Sequence, residues 1–344
     1  MKRRATLKDV AEAAGVHLST VSRALNPRTE HLLTPAVVAE IRKISQKLDY
    51  RPNAAAHSLR TNRTRTIGIV VPDITNPVFP PIIRGIEDAL AKRGYLAILA
   101  NTDGHLAQEA EIADLLRARG VDGLILASVE REDEAVSRLA AEGLPIVTVN
   151  RRVDDDSVSS VVNDEDAGIL DVLKYLASLG HRQIANVAGP QAMSTGIERY
   201  QAFEHHRRAL KLDGDPGLVV FAAGFNEEEG DAKTETLLAR RKDFTALVAA
   251  NDRLAIGAIA ALRRHGLDCP RDISVTGYND MPLVDRLSPA LTTVRIQQYE
   301  VGFEAGGVLV ELIEAPPERR LPRHLVRPVE LVVRDSTSPP PRRV

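Results

Sequence analysis

No stretch of the 344 residues is apolar for long enough to cross a bilayer, and the basic start MKRRATLKDV lacks the apolar run that an export signal needs. The chain is therefore expected in the cytoplasm, with no membrane partner. Cysteine occurs once, at Cys269, which rules out an internal disulfide and suits a reducing compartment. Neither a Walker loop nor a G-x-G-x-x-G motif is present, so nucleotide hydrolysis and dinucleotide binding have no support. The proline-rich end SPPPRRV carries no leucine heptads, which removes a tetramerising coil; residues 339–344 read as a disordered tail.

Charge is present in both signs but is unevenly placed. Lys and Arg total 45 against 47 Asp and Glu, a net of −2. Residues 1–65 hold 13 of the bases and only 5 of the acids, a net of +8, and the remainder carries −10. A basic head on an acidic body favours phosphate contact by the head alone, through counterion release.

The head has the pattern to use that charge. In TLKDVAEAAGVHLSTVSRALN (6–26), Leu7, Val10, Ala11 and Ala14 form one apolar stripe, and Gly15 permits the reversal that ends the helix. In the following helix Ser19, Ser22, Arg23 and Asn26 share a polar side while Val21 and Leu25 mark the buried one. This is the helix-turn-helix arrangement, which offers short polar side chains and one arginine to a major groove. Thr34 and Pro35 start a third helix carrying Val37, Ile41, Ile44 and Leu48 inward and Arg42, Lys43 and Lys47 outward. Beyond Pro52, Asn53 can cap AAAHSL, a segment about two turns long that is too short to hold as a helix without a partner.

The chain resembles the lactose-repressor/galactose-repressor (LacI/GalR) family of transcription regulators. The likeness covers nearly the whole length, through the head motif, YRPNAAAHSLRTNRTRTIGIVVPDITNPVF, RGVDGLILAS, LPIVTVNR, LGHRQIANVAGP, FTALVAANDRLAIGAIAALRRHG and DISVTGYNDMPLVDRLSPALTTVR. It implies that Leu18, Ser19 and Arg23 read base edges, with Arg23 suited to a bidentate guanine contact. Thr20 and Ser22 match phosphate and turn positions, and Asn26 ends the recognition helix. His17 stands where relatives carry Ser and could still meet a phosphate. Leu18 lies on the side of Leu25 and has a second reading as core. Leu59 matches a minor-groove wedge and His57 a position often held by Arg.

From Thr66 onward short apolar runs alternate with helical patterns, the signature of a doubly wound parallel sheet, and the alternation occurs twice. The expected architecture is an all-α helix-turn-helix head (1–50), a hinge helix and linker (51–65) and a bilobed α/β body (66–338) like the periplasmic binding proteins. Family resemblance places lobe one at about 66–165 plus 292–325 and lobe two at 166–291 plus 326–338.

Ligands of open α/β sheets sit at the carboxyl ends of the strands. The loops there offer Asp73, Asn76 and Phe79; Asn150 and Arg151; Ser194 and Arg199; Asn251 and Asp252; and Asn279. Arg199 matches the family's ligand-binding arginine, although Ala202 replaces the Gly of R-x-x-G. Asn279 stands where sugar-binding relatives place Asp. A neutral amide near an arginine suggests a sugar acid, carboxylate or phosphorylated sugar as effector in place of a neutral sugar.

The resemblance implies a homodimer on pseudo-palindromic operator DNA, controlled by a small-molecule effector and needing no cofactor. Release on effector binding is the commoner arrangement, which makes an inducible repressor the first expectation and a corepressor-dependent regulator or an activator the alternatives. An enzyme reading rests on AMSTG (192–196), a near match to a nucleophile elbow with Ala192 for the first Gly, but Gly189, Pro190 and Gln191 separate it from the strand end. His205 and His206 are adjacent and make a poor metal pair. A solute-binding receptor would share the body, but here a DNA-binding head stands where that class carries a signal peptide.

Overall fold

The computed structural model describes residues 5–26, 29–50 and 63–341, which fall into two units, 1–64 and 65–344.

In the first unit, helix α1 (Leu7–Ala14) opens on a reciprocal cap: the Thr6 hydroxyl accepts the Asp9 amide and the Asp9 carboxylate accepts the Thr6 amide. Gly15 ends it at φ 62°, where a side chain would be strained. Helix α2 (Leu18–Ala24) and helix α3 (Pro35–Lys47) close a small core of Val10, Ala11, Val21, Ala24, Val38 and Ile41. The buried stripe of α3 is Val38, Ile41 and Ser45; Val37 and Ile44 are half-buried and Leu48, just past the helix, is exposed, so the helix is turned from the orientation its spacing suggested. Thr34 precedes Pro35 as anticipated, but its hydroxyl makes no capping bond.

The second unit carries two six-stranded sheets. Sheet one contains β1 (Thr66–Val71), β2 (Leu96–Asn101), β3 (Gly123–Leu126), β4 (Ile146–Val149), β5 (Ser159–Asn163) and β11 (His324–Arg327), in the order β11-β5-β4-β3-β1-β2. Sheet two contains β6 (Ile184–Ala188), β7 (Val219–Phe221), β8 (Ala246–Ala249), β9 (Ser274–Asn279), β10 (Thr292–Arg295) and β12 (Glu330–Val332), in the order β12-β10-β9-β8-β6-β7. All pairs are parallel except β10 with β12. Eight helices connect them: α4 (Phe79–Ala91), α5 (Leu106–Ala118), α6 (Glu134–Ala141), α7 (Glu165–Leu179), α8 (Ser194–Ala209), α9 (Glu227–Arg240), α10 (Asp252–Arg264) and α11 (Gln298–Glu314).

The chain crosses between lobes three times, and two crossings differ from the expected boundaries. β10 pairs with β9 in sheet two, and β11 pairs with β5 in sheet one up to Arg327. The last two crossings therefore fall after β10 and between β11 and β12, later than residues 292 and 326. Short strands such as TTVR, one in from a sheet edge, and HLVR, at an edge, carry too few apolar positions to show which sheet they join. In sheet one the crossings involve β5 and β11, on the side away from β2; in sheet two the last two involve β10 and β12, while the first passes through α7 to β6. The end of the chain is tied down as far as Ser338, whose amide donates to Ser274 and whose carbonyl meets His181.

Each lobe packs one helix pair at backbone distance. A Cβ on Gly302 would lie 2.0 Å from the Ile82 carbonyl oxygen between α11 and α4, and one on Gly257 would lie 2.0 Å from that of Glu227 between α10 and α9. Gly307, on the same helix as Gly302, has nothing within 4 Å. Gly257→Ala should therefore cost about 1–3 kcal/mol or more through forced separation of the helices. Gly307→Ala should be neutral or slightly stabilising. Urea midpoints of the two variants check the contrast.

Candidate DNA-reading helix and effector cleft

Helix α2 begins with an unusual cap. His17 Nδ1 accepts the Ser19 amide at 3.3 Å and lies 2.8 Å from Ser19 Oγ, so the imidazole does what the usual short hydroxyl or amide does at this position. Only its second ring nitrogen is left for a phosphate. Leu18 is 44% exposed, which settles its two readings in favour of the surface, while Val21 and Ala24 supply the core. Ser19 and Arg23, one helical turn apart, are exposed beside it, and Thr20, Ser22 and Asn26 are half-buried. Arg42 is taken by Glu30, which reduces the basic outer side of α3 to Lys43 and Lys47. Asn53, His57 and Leu59 lie outside the described residues.

In the body, the carboxyl ends of both sheets are ringed by helix starts. Asp133, Asp164, Asn226 and Asn251 each accept an amide of the helix they precede, so the loops that follow the strands are held by their own polar side chains. Asn251 is thereby committed: its Oδ1 takes the Leu254 amide and its Nδ2 donates to the Phe225 carbonyl.

Arg199 is committed as well. It is 4% exposed, donates from Nε and Nη2 to the two oxygens of Glu165 at 2.6 and 3.0 Å, and from Nη1 to the Ala250 carbonyl at 2.6 Å. Its guanidinium lies 3.7 Å from the ring centre of the buried Tyr278. The arginine that suggested an acidic effector is thus already neutralised from within. Phe79 is 2% exposed and belongs to the core under β1, not to the cleft surface. Ser194, 2% exposed, is the first residue of α8 and its Oγ accepts the Arg152 amide, so AMSTG forms no nucleophile elbow. His206 meets Asp166 at 2.9 Å. Among the described residues no three His, Cys, Asp or Glu side chains gather as metal ligands.

Asp252 is fully buried; its carboxylate accepts the Thr293 hydroxyl at 2.5 Å and the Met281 amide at 2.8 Å. Burial raises its pKa to about 7, with Asp280 adding to the rise and those two hydrogen bonds opposing it. Asp73 gives Oδ1 to the Thr75 amide and Oδ2 to Arg253. Asn76 accepts the Val78 amide. Asn150 at φ 65° and Asn279 at φ 113° both hold backbone conformations that Asn tolerates better than most residues, at the ends of β4 and β9.

What remains available is concentrated on lobe one. Arg151 is 6% exposed, makes one bond to the Ser128 carbonyl, leaves Nε–H without a partner, and lies 5.8 Å from the Phe225 ring centre of lobe two. Burial lowers its pKa to about 10, against the pull of Glu109. Asn163 Oδ1 is also buried without a partner, and the buried Ser128 hydroxyl faces the Glu109 carboxyl. Glu109, behind them, is pushed above the usual carboxylate range by burial, with Asp133 as a like-charged neighbour. Sequence reading did not find Glu165, Asn163, Phe225 or Glu109. The strand SSVVN that ends in Asn163 and leads into Glu165 has no alternating apolar pattern, and Glu109 lies inside a helix.

A model of the lacI family of bacterial regulatory proteins matches residues 6–53, and a periplasmic binding protein-like domain matches 173–337. The transcriptional regulator CelR of Thermobifida fusca is 33% identical over 342 residues, 97% of this chain and 99% of CelR. The chain belongs to the LacI family. Its fold superposes on the CelR–cellobiose complex with a TM-score of 0.74 at 32% identity, covering 97% of this chain and all of that one. With the lac repressor dimer bound to operator and the anti-inducer ONPF the TM-score is 0.85 at 25% identity, covering 98% and 100%. As a LacI-family member the chain is a DNA-binding transcriptional regulator with an effector-binding body.

The buried Asp252 gives the body a measurable pH signature. The native carboxyl keeps its proton up to about pH 7, whereas the unfolded one releases it near 3.8, so stability falls as pH rises through that window. The drop attributable to this group is on the order of 4 kcal/mol. Asp252→Asn should flatten the decline of the urea midpoint between pH 4 and 7.

Proposed function

We propose that this regulator is a repressor that binds a pseudo-palindromic operator as a homodimer in the cytoplasm and is released by a small sugar-like effector. The observation that carries the DNA reading is the exposed trio Leu18, Ser19 and Arg23 on a helix whose opposite side closes the head core. Arg23 is suited to guanine and Leu18 to a thymine methyl. Two heads are needed because one half site gives few base contacts, and the relative solved on operator DNA is a dimer. In the body the β2 edge supports the same reading: Leu96, Ile98 and Leu99 are 69, 40 and 39% exposed on an unpaired strand edge, an apolar surface that a second copy would cover.

For the effector, the CelR relative is solved with cellobiose. Arg151, with a free Nε–H beside the Phe225 ring, replaces Arg199 as the cation that meets ligand oxygens. Asn163 supplies an amide oxygen for sugar hydroxyls. Whether those ligand oxygens belong to a hydroxyl or a carboxylate is decided by calorimetry with cellobiose and its aldonic acid, with Arg151→Met as control. The DNA reading is tested by selecting bound sequences from random duplexes at fixed salt, because nonspecific binding is so salt-dependent. The full-length protein should enrich a two-fold symmetric site, and Arg23→Ala should lose preference at one position per half site, about 1–3 kcal/mol of discrimination. Enrichment of no symmetric sequence would overturn the proposal.

A further inference from the structure

Among the described residues three sets of hydrogen bonds and ion pairs join the lobes across the cleft apart from the chain crossings, beside the approach of Arg151 to the Phe225 ring. The Arg131 amide donates to the Ala192 carbonyl at 2.9 Å, and Arg152 reaches α8 through its amide to Ser194 and its guanidinium to Glu198 at 2.7 Å. These start from the loops after β3 and β4. The third starts after β1, one strand from the β2 edge of sheet one, and reaches α10, which follows the inner strand β8 of sheet two. There Asp73 of lobe one meets Arg253 of lobe two at 3.1 Å.

Both partners of this last contact are held before they meet. Asp73 spends Oδ1 on the amide and hydroxyl of Thr75, which fixes the carboxylate and turns Oδ2 outward to Arg253. Arg253 is gripped on its own lobe by Glu227, which accepts from Nε at 2.8 Å and lies 2.6 Å from Nη2, leaving the Nη1 end for Asp73. Little side-chain freedom remains to be lost when the pair forms, which is the usual reason an exposed ion pair contributes nothing.

We infer that Asp73 and Arg253 form a latch that holds the lobes closed, with Glu227 as the residue that positions Arg253. Asp73 then acts on the effector through closure, not through contact. The latch itself follows from lobe geometry; its effect on an effector rests on the function proposed above.

The test reads lobe separation directly. Spin labels are placed on Arg119→Cys in lobe one and Arg240→Cys in lobe two, both exposed positions, in full-length protein carrying Cys269→Ser. Labelled chains are diluted with unlabelled protein so that measured pairs lie within one chain. The parent should give one narrow distance at 0.1 M salt. Asp73→Asn and Arg253→Gln should each broaden and lengthen it, and the double variant should go no further than either single one. At 1 M salt, where charges are screened within about 3 Å, the parent should move toward the variants and the variants should not move. An unchanged distribution in both single variants, an additive double variant, or a parent indifferent to salt would overturn the latch. The salt series needs no substitution in the latch, so a variant that fails to fold leaves the inference testable. Operator binding is not the readout, so failure here is distinct from failure of the DNA reading.

Discussion

The guanidinium of Arg199 gathers four separate parts of the body into one place: the crossover residue Glu165, its own helix α8, the end of β8 through the Ala250 carbonyl, and β9 through the ring of Tyr278. A buried arginine is tolerable only when its charge is matched and its donors are used, and here both conditions are met by groups from different segments. The geometry of the first crossover, and with it the relation of the strand ends that line the cleft, is therefore fixed by one ion pair. Gly168 shows how close this packing is, since a Cβ there would lie 2.4 Å from the Tyr278 hydroxyl.

That constraint separates scaffold from site among residues that look alike in sequence. Polar side chains at strand ends are the expected ligand contacts of an α/β body, yet the same side chains are the best helix caps, and the fold claims them first. Asn251 and Asp252 turn inward to amides, Ser194 receives the Arg152 amide, and Asp73 is shared between its own turn and the other lobe. Hydrogen-bonding capacity is left over on Arg151 and Asn163, at the ends of lobe-one strands, with Arg151 facing the ring of Phe225.

Much of the fold was legible in the sequence because it depends on periodicity. The two head helices, the turn at Gly15 and the alternation of strands and helices after Thr66 all follow from the spacing of apolar residues. What escaped was set by partners distant in sequence. Nothing near position 199 announces Glu165 as a partner 34 residues away, and nothing in TTVR or HLVR states which sheet will receive it. His17 is an instructive case: in sequence it offers at most a phosphate contact where relatives carry Ser, while the structure shows its imidazole nitrogen capping the recognition helix.

The most direct test of this account is a double-mutant cycle on the buried pair, using Glu165→Gln, Arg199→Met and both together, with stability read from urea unfolding at pH 7. Removing either partner alone leaves an uncompensated buried charge and should cost about 3–5 kcal/mol. The double variant should lose far less than the sum, because no lone charge remains. Additive losses, or an Arg199→Met variant as stable as the parent, would contradict the claim that this ion pair anchors the crossover and the cleft built upon it.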